Sequence, residues 1–272
     1  MTQHAIPVVA PYAARSAPTE RQDGDGGVSE DGRFRVRALA GEDELAVADG
    51  LAEERSAVEI ASWLIGACVA DATGPVGAEA AEALSVGDRE VLLRAIHAAT
   101  FGAVIETQVA CSADCGETIA FSLNLDALAE TPPEPGPVHR IRLGRRLISC
   151  RVPTGADVRR ALRQNGSAAE TLALACTGGK AGASEELARA LAELDPNAEC
   201  ALTLACPQCG RTSTVWLDAF ELLRRAIAEE GGIMRQVDRL ARAYGWSEAA
   251  ILGMPRDRRR RYCSLVAAEN AP

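Results

Sequence analysis

Two cysteine pairs, each followed directly by a glycine, constrain this chain more than any other feature. Cys111 and Cys115 stand in ACSADCG, and Cys206 and Cys209 stand in ACPQCG. A structural zinc ion takes four ligands in a tetrahedron, whereas one tight turn supplies only two. We therefore predict one closed, structural zinc site that draws all four cysteines from the two turns.

The spacer lengths of the two pairs differ. The two-residue spacer in CPQC is typical of a zinc knuckle, and the three-residue spacer in CSADC is less usual. Two alternatives stay open: the four thiols are free cysteines in loops, or the two pairs do not share one zinc ion. A redox role is disfavoured because no thioredoxin-like strand and helix pattern surrounds either pair. The other cysteines lie on apolar faces and are expected to fill the core: Cys68, Cys150, Cys176, Cys200 and Cys263.

The chain also repeats itself. Pairing each residue with the one 95 positions later places LLRAIHAATFGAVIETQVAC over LARALAELDPNAECALTLAC without a gap. A gapped likeness joins RVRALAGEDELAVA to SCRVPTGADVRRAL upstream. We predict two copies of strand, helices, strand, knuckle and strand, which pack against each other to bury their apolar faces. Within them we expect a strand at 33–39, a helix that begins at Ser85 and stops at Gly102, and a hairpin with its turn near Gly144.

We predict an α+β fold, mostly helical, in which each of two tandem repeats carries a zinc knuckle on a β-hairpin. The first repeat is expected at residues 33–130 and the second at residues 138–223. The stretch TPPEPGP at 131–137 is typical of a rigid linker. Residues 1–32 are rich in Pro, Gly and Asp without an apolar period, which predicts a disordered tail. Residues 224–272 predict a C-terminal helical segment, since apolar residues recur there at helical spacing.

Charge and composition narrow the functional classes. The net charge of −9 opposes general binding to a phosphate backbone, so nucleic acid is not the expected partner. No histidine or carboxylate cluster offers an open metal position, so we expect no enzyme activity. The first residues lack the pattern of a secretory signal, and no apolar run is long enough to cross a bilayer. We therefore expect no membrane contact and a cytoplasmic location.

The C-terminal segment carries a second candidate site. A run of four arginines follows YGWSEAAILGMP, and an aromatic residue stands at each end of this stretch. An amphipathic helix with a basic edge is typical of a docking surface; a cap over the ends of the repeats is the alternative. A further alternative is a zinc-ribbon regulator that binds nucleic acid through the arginines. The candidate partner-binding residues are Trp246, Arg258, Arg259, Arg260, Arg261 and Tyr262.

Several strings together resemble one known family. They are GDREVLLRAI, PTGAD and the tail YGWSEAAILGMP with RRRRY, and with both knuckles they span about residues 33–268. The chain resembles the zinc-knuckle baseplate proteins named for hub assembly in T-even phages, which also occur in phage-tail-like contractile injection systems of bacteria. The resemblance implies a structural or assembly role without enzymatic activity, and other baseplate, hub or tube proteins as partners. Two departures are the three-residue spacer of the first knuckle and Ala40, where threonine is expected.

Overall fold

The first half of the chain folds helices against a small sheet. The computed structural model describes residues 27–28, 33–113, 115–128 and 137–269. Strands β1 to β4 form one antiparallel sheet in chain order, and β5 pairs with β6 in a separate hairpin. The elements are β1 (Gly27–Val28), β2 (Arg35–Val36), α1 (Gly41–Ala52), α2 (Ala57–Cys68), β3 (Val69–Asp71), β4 (Gly74–Pro75), α3 (Gly77–Ala83), α4 (Val86–Phe101), β5 (Val104–Ala110) and β6 (Thr118–Asn124).

The second half has two hairpins with three short helices between them. Strand β7 pairs with β8 and β9 pairs with β10, both antiparallel. Four further α-helices in the described residues follow these hairpins and belong to neither half. The elements are β7 (His139–Leu143), β8 (Arg146–Cys150), α5 (Gly155–Arg163), α6 (Ala168–Thr177), α7 (Glu185–Leu194), β9 (Cys200–Ala205), β10 (Thr212–Leu217), α8 (Ala219–Ala228), α9 (Gly232–Tyr244), α10 (Glu248–Leu252) and α11 (Arg256–Glu269).

Helix ends follow from side chains that satisfy free backbone groups. The hydroxyl of Ser56 accepts a hydrogen bond from the backbone N–H of Glu59, whose carboxylate accepts the N–H of Ser56 in return at the start of α2. Ser85 caps α4, and Gly102 ends it at φ 106°. The cap and stop expected for this helix from the sequence are therefore confirmed.

The main hydrophobic core lies in the first half. Leu64 and Ile65 of α2 and Ile96 of α4 are fully buried there. Helix α8, from beyond the second half, packs into the same cluster through Leu223. A separate small core holds α9, α10 and α11 together. Helix α8 thus belongs to the main core, whereas α9 to α11 have a small core of their own and are joined to α1 by salt bridges.

Matched contacts occur in the two halves. The Arg37 guanidinium donates to Asp43 at 2.6 and 3.0 Å, and Arg151 donates to Asp157 at 2.5 and 2.9 Å. Each aspartate also accepts the backbone N–H three residues earlier and so caps α1 or α5. The backbone N–H of each arginine donates to a cysteine carbonyl near the end of α2 or α6. These contacts support the predicted repeat, which itself stays a prediction.

The predicted fold class is confirmed, because the protein is α+β and mostly helical. The predicted hairpin with its turn at Gly144 is present, as are the C-terminal helices. The strand expected over 33–39 is shorter, Arg35–Val36, because the backbone N–H of Leu39 donates to the hydroxyl of Thr100 and not to a strand.

The domain bounds predicted from the sequence are not decided by these elements. The predicted tail, residues 1–32, lies outside the described residues except for Gly27–Val28, which pair with β2. The predicted linker, residues 131–137, lies outside them except for residue 137. The bounds of the two repeats therefore stay predictions.

Candidate metal centre

Two β-hairpins present the cysteine pairs at their tips. Cys111 directly follows β5, and Cys206 directly follows β9. The backbone N–H of Cys111 donates to the carbonyl of Glu117 at 2.9 Å, and that of Cys206 donates to the carbonyl of Arg211 at 2.8 Å. The first turn holds one residue more than the second, so the unusual three-residue spacer leaves the closing hydrogen bond in place.

The backbone requires the glycine that follows each second cysteine. Gly116 has a φ of 77° and Gly210 a φ of 70°, which is the left-handed region. A side chain built at either position would meet no atom within 4 Å, so space does not select glycine. The conformation selects it, because other residues enter this region at a cost. The glycine in both Cys-Gly strings is thus explained by the same left-handed backbone conformation.

The two hairpins pack face to face. Ile119 of the first hairpin and Leu204 of the second share a buried cluster with one cysteine from each pair. A second apolar cluster also combines residues of both hairpins. The hydroxyl groups of Ser112 and Ser213 are hydrogen-bonded across the interface at 2.8 Å. This packing brings two turns together that are far apart in the sequence.

The four cysteine sulfurs converge on one point. The Sγ atoms of Cys111 and Cys209 are 3.7 Å apart, as are those of Cys115 and Cys206. All four Sγ atoms lie within 4.8 Å of one another. Tetrahedral zinc with Zn–S bonds of about 2.3 Å places sulfurs about 3.8 Å apart, whereas a disulfide needs about 2.05 Å. The cluster therefore has the dimensions of a four-thiolate metal site, and each close pair takes one sulfur from each hairpin.

The thiols differ in acidity. The backbone N–H groups of Cys209 and of the residue before it lower the pKa of Cys206 to about 7. At Cys115 the backbone N–H of Glu117 also favours the thiolate, but hydrogen bonding with the other three cysteines and the loss of contact with water outweigh it and raise the pKa to about 12. Four thiolates this close repel one another unless a cation lies between them. A divalent metal ion would supply that charge.

Comparison with known protein families matches residues 29–171 to the family described as T4 bacteriophage base plate protein. This stretch covers more than half of the 272 residues. The chain belongs to the T4 bacteriophage base plate protein family. No curated protein and no solved structure matches it.

The family match covers one half of the cysteine cluster of this base plate protein. It includes the first hairpin, with Cys111 and Cys115, and ends before the second. The second pair and the C-terminal helices lie beyond the matched stretch, so their roles rest on the geometry given above. In the part of the chain that the structure describes, no helix is long and apolar enough to span a membrane.

The remaining cysteines of the base plate protein lie in the core as expected, apart from Cys200, which is half-buried. Burial raises the pKa of Cys68 to about 12 and that of Cys176 to about 11, so both stay neutral thiols at neutral pH. Cys150 and Cys263 are buried as well. Within the described ranges, the four knuckle cysteines form the only group of three or more ligand side chains close enough to hold a metal ion.

Arg259 is buried, which differs from the exposed partner-binding residue predicted from the sequence. Its side chain is fully buried, and its Nε donates to the amide oxygen of Gln236 at 2.8 Å. The carboxylate of Glu44, also fully buried, forms salt bridges with both Arg256 and Arg259. Arg259 therefore fastens α11 to α1 and cannot contact a partner while the base plate protein is folded.

The other predicted partner-binding residues keep some exposure. The rings of Trp246 and Tyr262 are half-buried and meet edge to face at 4.9 Å. Three arginines of the run are exposed: Arg258, Arg260 and Arg261. Only these side chains of the predicted patch remain within reach of another protein.

A periodic signal in the sequence would have separated the buried arginines from the exposed ones. The buried positions of α11 are Arg256, Arg259, Cys263 and Val266. Their spacing of three, four and three residues traces one face of a helix. Extending the apolar face backwards from Cys263 and Val266 therefore reaches the two buried arginines. The acidic partner, Glu44, lies 215 residues from Arg259, and no local pattern points to it.

Proposed function

We propose that this base plate protein is a structural or assembly component of the base plate of a contractile, phage-tail-like injection system. The family match supports a base plate role. The convergence of four cysteine sulfurs from two distant hairpins supports a structural metal centre as its organising feature. We propose that it acts without catalysis and is assembled into particles in the cytoplasm.

Zinc is the proposed ion. Four thiolates in a tetrahedron suit zinc or an iron–sulfur centre among biological metals. Cys111, Cys115, Cys206 and Cys209 would hold it, which fills all four positions with protein ligands and leaves none for a substrate. A two-stranded hairpin is only marginally stable by itself. An ion shared by both hairpins would fix them as one unit that a neighbouring protein can recognise.

The proposed partners are other base plate, hub or tube proteins. Exposed arginines next to aromatic rings are typical of the central residues of protein interfaces. Arg258 and Arg261 meet this description beside Trp246 and Tyr262, since Arg258 lies over the Tyr262 ring at 5.9 Å. We propose that this patch, without Arg259, contacts a neighbouring component of the particle.

Metal analysis of the purified full-length chain tests the centre. About one zinc ion per chain is expected, because all four sulfurs lie around one point. Iron in place of zinc would change the assignment of the ion, and the absence of any bound metal would refute the centre. Removing the ion with a chelator should lower the melting temperature, and adding zinc back should restore it.

Particle assembly tests the proposed role. Deleting the gene in the organism that encodes the chain should abolish complete contractile particles under the electron microscope. The unchanged gene should restore them, and the double variant Arg258→Glu/Arg261→Glu should not. That variant should keep the melting temperature of the wild type, because exposed charges contribute little to stability. Normal particles in the deletion strain would refute the proposal.

A further inference from the structure

The hairpin of β7 and β8 carries an unusual charge. Residues 138–151 contain five arginines and neither Asp nor Glu, in a chain whose net charge is −9. Arg151 is neutralised by the carboxylate of Asp157. The other four arginines are exposed and lie on the strands or at the turn: Arg140, Arg142, Arg145 and Arg146.

The strand register gathers part of this charge on one face. Arg140 lies opposite Ser149, and Arg142 lies opposite Leu147. Residues directly opposite each other in an antiparallel pair share a face. Leu147 is 59% exposed, and Val138, two residues before Arg140, is 63% exposed. This outer face therefore combines two arginines with two exposed apolar side chains.

The opposite face of the same hairpin is covered by the protein. His139, Ile148 and Cys150 alternate with the outer residues and are buried. Glu186 of α7 accepts the backbone N–H of Gly144 at 2.8 Å and so fixes the turn. The outer face is thus presented by an anchored hairpin, and its conformation does not need to change when a partner binds.

Among the described residues, the arginines of the outer face lack the carboxylate partners that some other surface arginines have. In the described part of the chain, neither Arg140 nor Arg142 forms a salt bridge with a carboxylate. Elsewhere on the surface, Arg159 pairs with Glu82 and Arg163 pairs with Glu59. A guanidinium left without a carboxylate on a rigid strand is ready to accept one from another molecule.

We propose that the outer face of the β7–β8 hairpin binds a carboxylate-rich surface of a partner protein. Guanidinium groups match carboxylates in pairs of parallel hydrogen bonds. Exposed Leu147 and Val138 favour a protein over a nucleic acid, because a phosphate backbone offers no apolar counterpart to them. This surface is separate from the C-terminal patch and does not depend on the proposed metal centre.

Binding of a model peptide by the full-length protein tests the proposal. The probe is a labelled peptide about ten residues long that repeats Glu-Ser-Val-Ser, so that carboxylates and apolar groups alternate along one face of a strand. The double variant Arg140→Glu/Arg142→Glu should weaken binding at least about tenfold, because two charge-assisted contacts become repulsive. The matched control, Arg258→Glu/Arg261→Glu, makes the same change of charge and should bind like the wild type.

Further binding measurements distinguish between the molecules that could bind this outer face. Leu147→Ser should weaken binding of the alternating peptide but not of labelled poly-L-glutamate, which lacks apolar side chains. Equal binding by the wild type and the Arg140/Arg142 variant would overturn the proposal. Tighter binding of labelled single-stranded DNA than of the peptide would overturn it in favour of nucleic acid. A wild-type dimer that the same variant dissociates would overturn it in favour of a second copy of the chain.

Discussion

The two halves of the molecule share contacts but differ in how they are buried. Both begin with an arginine bound to a capping aspartate, and both end in a hairpin with a Cys-Gly turn. The main core, however, is built from the first half and α8, and no buried member of that cluster comes from the described helices of the second half. Helices α5 and α6 instead expose Leu162 and Leu174, which are 61% and 43% accessible.

This difference in burial gives the two halves different parts: the first half contains most of the core, and the second half presents exposed side chains. The first half buries large apolar side chains around α2 and α4, and this burial stabilises it. The second half exposes apolar side chains and the basic β7–β8 hairpin, as an interface does. The shared knuckle centre joins the two, because each hairpin supplies two of its four sulfurs.

The capping aspartates show where the halves diverge. Asp43 is followed by Glu44, whereas Asp157 is followed by Val158. Glu44 binds the buried arginines of α11, and Val158 has no such role open to it because it carries no charge. The two buried arginines of α11 therefore bind the capping turn of the first half, and the second half has no carboxylate at the matching position.

The largest expected effect concerns the cysteines, where the two halves should be equivalent. Cys111→Ser and Cys206→Ser should each lower the free energy of unfolding by about 5 kcal/mol or more, because structural zinc contributes roughly 10–16 kcal/mol in zinc-finger peptides. Cys200→Ser, a change on the same hairpin outside the cluster, is the control and should cost far less. Chemical denaturation with zinc present measures all three. A large cost at Cys206 with none at Cys111 would show that the first pair is not part of the centre.

The next-largest expected effect is a loss of stability in the first half only. Glu44→Ala removes the carboxylate from two buried guanidinium groups and should cost about 3–5 kcal/mol in the free energy of unfolding. The neighbouring Glu42 is exposed, so Glu42→Ala should stay within about 0.5 kcal/mol of the wild type. Urea denaturation measures both. Equal costs for the two variants would show that α11 is not fastened to α1 through Glu44.

These contrasts also show how much of the structure could be predicted from the sequence. The knuckle cysteines, the Ser85 cap and the stop at Gly102 are encoded within a few residues, so their local pattern was enough to predict them. The helical period of α11 could have marked Arg259 as buried, but its partner is a carboxylate from the other end of the chain, which no local pattern names. Strand β4 and helix α3 were not predicted, because GPVGAEA, at residues 74–80, contains turn residues and no apolar period.

A smaller effect, dependent on pH, is expected in the second half. Burial disfavours the charged form of Asp157, but hydrogen bonds from Arg151 and Thr154 outweigh it and lower the pKa of the carboxyl to about 2. A carboxyl whose pKa is lower in the folded state stabilises the fold above its unfolded pKa of about 3.9, and this stabilisation is lost as the pH falls through the folded value.

The variant Asp157→Asn isolates this contribution. The difference in unfolding free energy between wild type and variant should be fully present above about pH 5 and should shrink toward pH 2, with about 2.6 kcal/mol as its upper bound. Denaturation curves recorded across this range measure it. A difference that does not change with pH would mean that the carboxylate charge contributes nothing and that only its shape matters.

The smallest expected changes in the free energy of unfolding should have opposite signs in the two halves. In the second half, the Thr154 hydroxyl accepts the backbone N–H of Asp157 at 3.3 Å and caps α5. Ala40 occupies the same position before α1 and forms no side-chain cap, although its backbone has the extended conformation that a cap requires. Because Ala40 is exposed, a threonine fits there without displacing the core.

Thr154→Ala should therefore destabilise the protein by about 1 kcal/mol, and Ala40→Thr should stabilise it by a similar amount. The double variant should return close to the wild-type stability, since distant sites add independently. A loss of stability in Ala40→Thr would show that the first half has adapted to the missing cap and that the two helix starts are no longer interchangeable.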